Sequence, residues 1–190
     1  VAMRENGEVL YSEAEIVELR SNVRIERIFL LDKTLKRQSF QNLSISEKRY
    51  FLEKHHCYVP ISSSVRLALQ QADIIIYSAG TQHSSLYPSY FTKGLAETIS
   101  DNKTALKVFI TNIGADYETP MYKASDYILG AHKYLELSGE RSYSMKELFS
   151  SILINKSNLK DDETYVEYDE NAFKNIPIKR IVGNFESKSS

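Results

Sequence analysis

The sequence predicts an α/β fold: a three-layer, mostly parallel, Rossmann-like sheet with an inserted segment at about 32–60. Short runs rich in β-branched residues alternate with segments whose apolar residues recur at helical spacing. One run, Asp73–Tyr77, carries apolar residues at successive positions, which is typical of a strand buried on both faces inside a parallel sheet. The 190 residues are 42% hydrophobic and 26% charged, which is the composition of an ordinary globular domain.

The N-terminal third is predicted to hold two strands and the insertion. The strands are Glu8–Tyr11 and Arg24–Leu31. Within segment 32–60, the residues at 44–47 match a capping box, in which a serine and a glutamate each satisfy a free main-chain amide at the start of a helix. This box predicts a short helix around Glu47–Lys54. We therefore interpret 32–60 as an insertion in a single domain that spans 1–190.

The middle of the chain is predicted to alternate between helix and strand. Serines 62–64 supply caps for a helix that begins after Pro60. Strand Asp73–Tyr77 follows, and Leu86–Ser100 is helical in two pieces that meet near Lys93-Gly94. The helix that begins after Pro60 has one apolar face, formed by Val65, Ala68, Leu69 and Ala72.

The C-terminal part continues the same alternation. Its predicted elements are a strand at Lys107–Asn112, an amphipathic helix that carries Ala124 to Leu135 and ends near Gly139, a capping box at Ser144–Glu147, a strand at Ser151–Asn155, a polar loop at Asn158–Thr164 and a final strand at Pro177–Val182. Strand–helix alternation of this kind favours parallel pairing, because parallel strands need a crossover connection.

Charge and hydropathy exclude several classes of protein. Lys and Arg number 24 against 25 Asp and Glu, and the pI is near 6.5, so the basic excess of a nucleic-acid-coating protein is missing. No apolar run is long enough to span a membrane. The single cysteine, Cys57, is compatible with a reducing cytoplasm. Val1–Leu10 lacks the apolar core of a signal peptide and is interpreted as the interior of a longer protein. We expect a cytoplasmic protein without nucleic acid or membrane as partner; homo-oligomerisation stays open.

The first candidate site is the loop Ser78–Ser85, which follows a predicted strand and leads into a helix. A glycine followed by hydroxyl residues offers free main-chain amides and O–H donors, and the helix dipole adds attraction for an anion. Gly80, Thr81, Ser84 and Ser85 are therefore candidates for holding a phosphate. The alternative is that one of the serines only caps the helix, which is the commoner use of such residues.

The second candidate site is the loop Asn112–Tyr122, which follows the next strand. Asn112 stands at the strand end, and Asp116, Glu118 and Thr119 come after it. Ligands of parallel sheets bind beyond the carboxyl ends of strands, so these polar groups are candidates for contacts with a base, a sugar or a metal-bound water. The alternative is an ordinary connection between strand and helix.

The histidines offer weaker hypotheses. His83 is a candidate donor to phosphate or a candidate acid, with a solvated loop histidine as the alternative. His55-His56-Cys57 suggests metal binding, but adjacent ligands rarely converge on one ion, so no metal ligand is assigned. His132 is interpreted as structural. A serine nucleophile beside His83 would suggest a hydrolase, but the G-x-S-x-G motif is missing.

Taken together, the two loops resemble a known family. Residues 72–88, ADIIIYSAGTQHSSLYP, are similar to the segment A-D-x-I-x-x-G-P-G-S-x-x-T-S-x-x-P of the 2-phospho-L-lactate transferase and gluconeogenesis-factor family. The strand-end N-I, the E-T, the Y and the S-D of that family are matched in order by Asn112-Ile113, Glu118-Thr119, Tyr122 and Ser125-Asp126. The likeness is strongest over 72–128.

The departures from the family pattern concern the phosphate-binding parts. Ser78-Ala79-Gly80 stands where the family has G-P-G, and Thr81 replaces a serine. The N-terminal G-G-G-T-G loop of the family is missing from this sequence. We therefore expect these residues to be the C-terminal part of a family member that does not act alone.

The resemblance implies one of two functions. One family branch moves a 2-phospholactyl group from a nucleotide-activated donor to a deazaflavin acceptor with a divalent metal, and the other binds nucleotide sugars and regulates carbon metabolism and cell-wall growth. The Ser84-Ser85 loop is closer to the second branch, so we expect a nucleotide-binding regulator. The phospholactyl transferase is the alternative, and an interaction module with a degenerate pocket is a third possibility.

The resemblance also implies a ligand and a set of contacts. The partner is a nucleotide-type small molecule, and Mg²⁺ is held mainly by residues outside these 190. No catalytic residue is assigned. The phosphate- and nucleotide-binding residues are expected to be Gly80, Thr81, Gln82, His83, Ser84, Ser85, Asn112, Glu118 and Thr119.

Overall fold

The computed structural model describes residues 1–157 and 164–186. The strands are β1 (Ala2–Arg4), β2 (Val9–Leu10), β3 (Ile25–Ile28), β4 (Ile74–Tyr77), β5 (Leu106–Ile110), β6 (Ser151–Asn155) and β7 (Lys179–Gly183). The helices are α1 (Glu13–Glu18), α2 (Ile45–Lys54), α3 (Ser63–Gln71), α4 (Tyr87–Tyr90), α5 (Leu95–Asp101), α6 (Ala124–Leu137) and α7 (Met145–Leu148). The described residues also form short 3₁₀ turns at Arg37–Phe40 and Ala172–Asn175 and a π-helical turn at Gln82–Leu86.

The main sheet is parallel and has the order β4-β5-β6-β7, which confirms the predicted α/β class. Ile74 pairs with Leu106 at the start of β4 and β5, so the carboxyl ends of these two strands meet at one edge of the sheet. One face of the sheet is buried and forms the main core with α5 and α6. The residues of this face include Ile75, Tyr77, Phe109, Ile152 and Ile154.

A second, antiparallel sheet with the order β2-β1-β3 contributes Ala2, Leu10, Ile25 and Ile28 to the same core. The predicted strands Glu8–Tyr11 and Arg24–Leu31 are shorter than expected and belong to this sheet, where both pair with β1. The Tyr134 hydroxyl on α6 accepts a hydrogen bond of 3.1 Å from the Ile28 amide on β3. The antiparallel sheet is therefore in contact with α6.

Segment 32–60 packs against the antiparallel sheet and encloses a small second core. Phe40 and Leu52 from this segment are buried with Met3, Val9 and Phe29 of the sheet region. The predicted helix after the capping box forms as α2, and the Ser44 amide donates to Glu47 Oε2 over 2.8 Å. The segment thus covers apolar surface that β1 and β3 would otherwise expose. Its status as an insertion stays a prediction.

The structure overturns the expectation that β4 is buried on both faces. Strand β4 is at the edge of the parallel sheet, and Ile74 and Ile76 are 57% and 59% exposed. Burial requires a covering element on each face and a neighbour on each edge. Among the described residues, β4 has β5 as its only strand neighbour and a packed core on only one face.

The remaining local predictions agree with the observed elements. Gly94 adopts a left-handed φ of 86° and divides the predicted helix Leu86–Ser100 into α4 and α5. The capping box at Ser144 forms, and the final strand begins at Lys179 rather than at Pro177. Most of the predicted loop at 158–164 lies outside the described residues. Among those described, no helix has the length and apolar character needed to cross a membrane.

The Asn102 side chain links the two chain segments that lead into β4 and β5. Its Nδ2 donates to the Leu69 and Ala72 carbonyls over 2.8 and 2.9 Å, and its Oδ1 accepts from the Thr104 and Ala105 amides over 3.2 and 3.0 Å. The side chain is only 8% exposed. One amide group thus links the end of α3 to the turn that precedes β5.

We expect Asn102→Ala to lower the free energy of unfolding by about 2–4 kcal/mol, because several buried main-chain groups lose their partner. Urea denaturation followed by circular dichroism measures this change. The matched control is Asn6→Ala, since Asn6 is exposed and its Oδ1 accepts a hydrogen bond from the Glu8 amide. Equal stability of the two variants would contradict the assigned role of Asn102.

Candidate functional site

The two predicted loops meet at the carboxyl ends of β4 and β5. Gly80 follows β4, and Asn112 follows β5. The Gly80 amide donates to Asn112 Oδ1 over 3.0 Å, and Asn112 Nδ2 donates to the Gly80 carbonyl over 3.0 Å. The asparagine side chain therefore holds both polar groups of Gly80 and fixes the first loop against the second.

Glu118 makes the second link between the loops. Its Oε2 accepts from the His83 and Ser84 amides over 2.9 and 3.0 Å, at the start of the π-helical turn. The side chain is 3% exposed, and its Oε1 has no hydrogen-bond partner among the described residues. Asp116 Oδ1 accepts from the amides of Glu118 and Thr119 over 2.7 and 3.1 Å and shapes this loop. A carboxylate of the protein thus occupies two of the amides predicted to hold a phosphate.

This arrangement corrects the expectation that the amides of the first loop are free. Those of Gly80, His83 and Ser84 donate to Asn112 or Glu118. The physical reason is that amides at the start of a turn attract any anion, including a carboxylate of the same chain. Whether the loop binds a ligand stays a prediction, but any phosphate must rely on other donors while these contacts last.

Three hydroxyl groups remain on the outer side of the loop. Thr81 Oγ1 lies 2.8 Å from Ser85 Oγ and 3.1 Å from Ser84 Oγ. The two serine oxygens are 3.4 Å apart. Thr81 and Ser85 are exposed and Ser84 is half-buried, so the cluster faces solvent. Each hydroxyl rotates freely enough to donate to a ligand oxygen.

Gln82 and His83, by contrast, point into the protein. Gln82 Nε2 donates to the Gly80 carbonyl over 2.8 Å, and the His83 ring packs edge-on against Tyr87 with 5.0 Å between ring centroids. Burial, together with the positive charges of Lys133 and Arg4, lowers the pKa of the His83 ring to about 3. The interpretation of His83 as a solvated loop histidine is therefore wrong, because the ring is buried and neutral at physiological pH.

At two predicted positions of the second loop, the polar side chain is buried and is not exposed toward a ligand. Thr119 Oγ1 lies 3.0 Å from the Tyr127 hydroxyl and is buried in the core. Asn112 is also buried. The structure brings all nine predicted residues to one edge of the sheet. It leaves the hydroxyls of Thr81, Ser84 and Ser85 facing outward.

Two arginines border the second loop, and the sequence analysis missed both. Arg24 donates to the Met121 carbonyl over 2.8 Å and pairs with Asp126, and its guanidinium lies over the Tyr122 ring. Arg20 lies 3.8 Å from the centroid of the Tyr117 ring. No local signal could have found these contacts, because Arg24 and Asp126 are 102 residues apart in the sequence.

Two histidines outside the two loops contact main-chain groups. His56 Nδ1 accepts from the Leu30 amide over 3.1 Å, and burial lowers the pKa of its ring to about 4. His132 Nε2 lies 2.7 Å from the Tyr143 carbonyl oxygen. In the part of the chain that the structure describes, no three His, Cys, Asp or Glu side chains are grouped to hold a metal ion.

Comparison with known proteins identifies relatives over most of the chain. The family model described as 2-phospho-L-lactate transferase CofD matches residues 1–185. A gluconeogenesis factor of Listeria innocua is 28% identical over 141 residues, which are 73% of this chain and 42% of that protein. A putative gluconeogenesis factor of Thermotoga maritima is 32% identical over 72 residues, covering 37% of this chain and 23% of that protein.

Solved structures share the fold. Two crystal structures of one Bacillus halodurans protein, described as a member of the upf0052 family, superpose with TM-scores of 0.69 and 0.68 at 20% sequence identity. They cover 97% and 99% of this chain, and the chain covers 51% and 52% of them. The chain thus spans about half the length of these structures and less than half of the curated relatives it matches.

We expect Glu118→Ala to cost about 2–4 kcal/mol of stability, because two amides at a buried position lose their acceptor. Glu118→Gln keeps an acceptor oxygen and should cost less than about 1 kcal/mol. Urea denaturation measures both, and hydrogen exchange at His83 and Ser84 should accelerate only in the alanine variant. The control is Glu140→Ala at an exposed position. If Glu118→Ala is as mild as this control, Glu118 does not hold the loop.

The buried His83 ring should make stability depend on pH. Its folded pKa of about 3 lies below the ordinary value of 6.5, so the unfolded chain binds the extra proton first as pH falls. The contribution of this ring to the free energy of unfolding is therefore constant above about pH 6.5 and declines between about pH 6.5 and pH 3, by up to about 1.4 kcal/mol per pH unit. His83→Gln should reduce the slope of the unfolding free energy against pH. An NMR titration that protonates the His83 ring near its ordinary pKa would contradict the prediction.

Proposed function

The chain belongs to the 2-phospho-L-lactate transferase CofD family, and we propose that it binds the phosphate of a nucleotide-type ligand, such as a sugar nucleotide. The observation that carries the proposal is the cluster of three outward hydroxyls, from Thr81, Ser84 and Ser85, beyond the carboxyl end of β4. Ligands of parallel α/β sheets bind at this edge.

The chemistry of the cluster suits an anionic oxygen. Three hydroxyls within 3.4 Å of one another can all turn their hydrogens toward one phosphate group. Asn112 and Glu118 hold the loop from beneath, so the cluster is positioned before a ligand arrives. In this proposal Thr81, Ser84 and Ser85 contact phosphate, while Asn112 and Glu118 position them.

We favour a regulatory role over catalysis. The curated relatives are named gluconeogenesis factors, and regulation of carbon metabolism by a bound nucleotide would need only the binding site. The cytoplasmic location expected from the single cysteine belongs to the same proposal. Because the chain spans less than half of those relatives, the activity of a whole family member is also part of the proposal.

Phospholactyl transfer is the second candidate, since the matching family model carries that name. The described residues do not form a site for the Mg²⁺ that this activity implies. Asp116 and Glu118 are the nearby carboxylates, and both accept main-chain hydrogen bonds within the loops. The metal would then be held by the rest of the family fold.

The test is isothermal titration calorimetry of the complete gene product with UDP-glucose, ADP-glucose and GDP. We expect micromolar binding of at least one of them, and a loss of at least about tenfold, or 1.4 kcal/mol, in the combined Thr81→Ala, Ser84→Ala and Ser85→Ala variant. Ser46→Ala, on the exposed side of α2, is the control. No heat with any nucleotide, or equal affinity of variant and control, would remove the proposal.

A mass-spectrometric assay separates the two candidate functions. The same protein is incubated with nucleotide-activated phospholactate, a deazaflavin acceptor and Mg²⁺. Absence of product together with nucleotide binding favours the regulator, and product formation favours the transferase. If the alanine variant keeps its affinity and stability, the interaction module is favoured instead.

A further inference from the structure

A cavity of about 160 Å³ lies between α2 of segment 32–60, the antiparallel sheet and the C-terminal half of α6. Its apolar wall is formed by Met3, Phe29 and Leu137, and the first two of these are buried. Lys133 also lines the cavity and stands nine residues after the start of α6, which is roughly 14 Å along the helix axis. None of the described residues that line the cavity belongs to the two loops, so it is separate from the candidate phosphate site.

Among the described residues that line the cavity, cations outnumber carboxylates by three to two. Arg49 Nη2 donates to both carboxylate oxygens of Glu26, over 2.9 and 2.7 Å. Arg27 Nη1 lies 3.6 Å from Glu53 Oε1. Lys133 Nζ donates to the main-chain carbonyl of Glu26 over 3.1 Å and forms no ion pair with a carboxylate of the described residues. The cavity therefore holds one positive charge without a counter-charge.

Arg27 adds a donor that has no acceptor. Its Nε is buried and has no hydrogen-bond partner among the described residues. Arg27 pairs with Met3 across β3 and β1, and its guanidinium carbon lies 5.0 Å from the centroid of the Phe29 ring, so the side chain is held against the apolar wall. Desolvation of the Lys133 ammonium and the positive charge of Arg27 lower the pKa of Lys133, while Glu26 opposes them. An anion in the cavity would supply the missing acceptor and the missing counter-charge.

We propose that this cavity binds the anion of a small monocarboxylic acid. Its carboxylate lies between Arg27 Nε and Lys133 Nζ, and its hydrocarbon end packs against the apolar wall. A single excess positive charge matches a monoanion, and hydrogen bonds from guanidinium and ammonium groups to a carboxylate are among the strong ones. Because a water molecule takes up about 30 Å³ of the liquid, the cavity has room for about five or six non-hydrogen atoms. The ligand is therefore an acid of about four carbons.

Segment 32–60 completes this site through two charged residues of α2. Arg49 and Glu53 stand one helical turn apart and both line the cavity. Their ion pairs with Glu26 and Arg27 engage both carboxylates of the cavity, so neither carboxylate neutralises Lys133. The segment thus takes part in ligand binding in addition to covering the antiparallel sheet. Binding of an acid here is independent of the proposed nucleotide, because the cavity and the two loops have separate residues.

The experiment is a titration of the complete gene product with butyrate, followed by saturation-transfer difference NMR. We expect saturable binding with a dissociation constant of about 1 mM or tighter. Lys133→Gln removes the unpaired charge, and Arg27→Lys keeps a cation beside Glu53 but lacks Nε. Each variant should weaken binding at least about fivefold. Lys146→Gln, at an exposed position on α7, is the matched control and should leave the affinity unchanged.

Thermal melts of the variants check folding. Lys133→Gln should melt normally because Lys133 is exposed, and its result decides if Arg27→Lys does not fold. No saturable binding of butyrate, or equal affinity of Lys133→Gln and Lys146→Gln, overturns the proposal. Tighter binding of inorganic phosphate than of butyrate also overturns it, because the ligand would then not be a carboxylic acid.

The hydroxyl cluster provides the test of location. The combined alanine variant of Thr81, Ser84 and Ser85 should bind butyrate normally, because these residues do not line the cavity. Loss of butyrate binding in that variant overturns the proposal, since the acid would then occupy the loop site. Butyrate binding without any nucleotide binding supports the cavity as a site and counts only against the proposed function.

Discussion

The candidate site depends on two hydrogen-bonded links between the loops that follow β4 and β5. The Asn112 side chain binds both polar groups of Gly80, and the Glu118 carboxylate binds the amides of His83 and Ser84. The partners are 32 to 35 residues apart, so these links form only when the parallel register brings the two strand ends together. The register of β4 and β5 therefore determines the shape of the loop and the direction of its hydroxyls.

The placement of charge at the site follows from the second link. Glu118 lies where an external anion would otherwise meet the main-chain amides, and a nearby guanidinium, that of Arg24, is paired with Asp126. The outward donors that remain are neutral hydroxyls, which bind phosphate less strongly than charged donors do. The charge of the described loops is therefore balanced within the protein, and neutral hydroxyls face outward.

Much of the architecture could be predicted because it depends on neighbouring residues. The capping boxes at Ser44 and Ser144 formed, Gly94 divided a helix as expected, and strands β5 and β6 lie where their apolar runs indicated. Both loops were predicted as candidate sites, because ligands of parallel sheets bind beyond the carboxyl ends of strands. Capping, turn conformation and periodicity are local properties, and each is legible in a short window of sequence.

The sequence by itself determined the α/β class, the positions of most helices and strands, and the residues of the two loops. Only the tertiary structure decided that β4 is an edge strand, that His83 is buried and neutral, and that Glu118 occupies the amides of the first loop. The reason is that exposure and pairing depend on what packs against a residue from distant parts of the chain. A run of isoleucines forms the same sequence pattern in a central strand and in an edge strand.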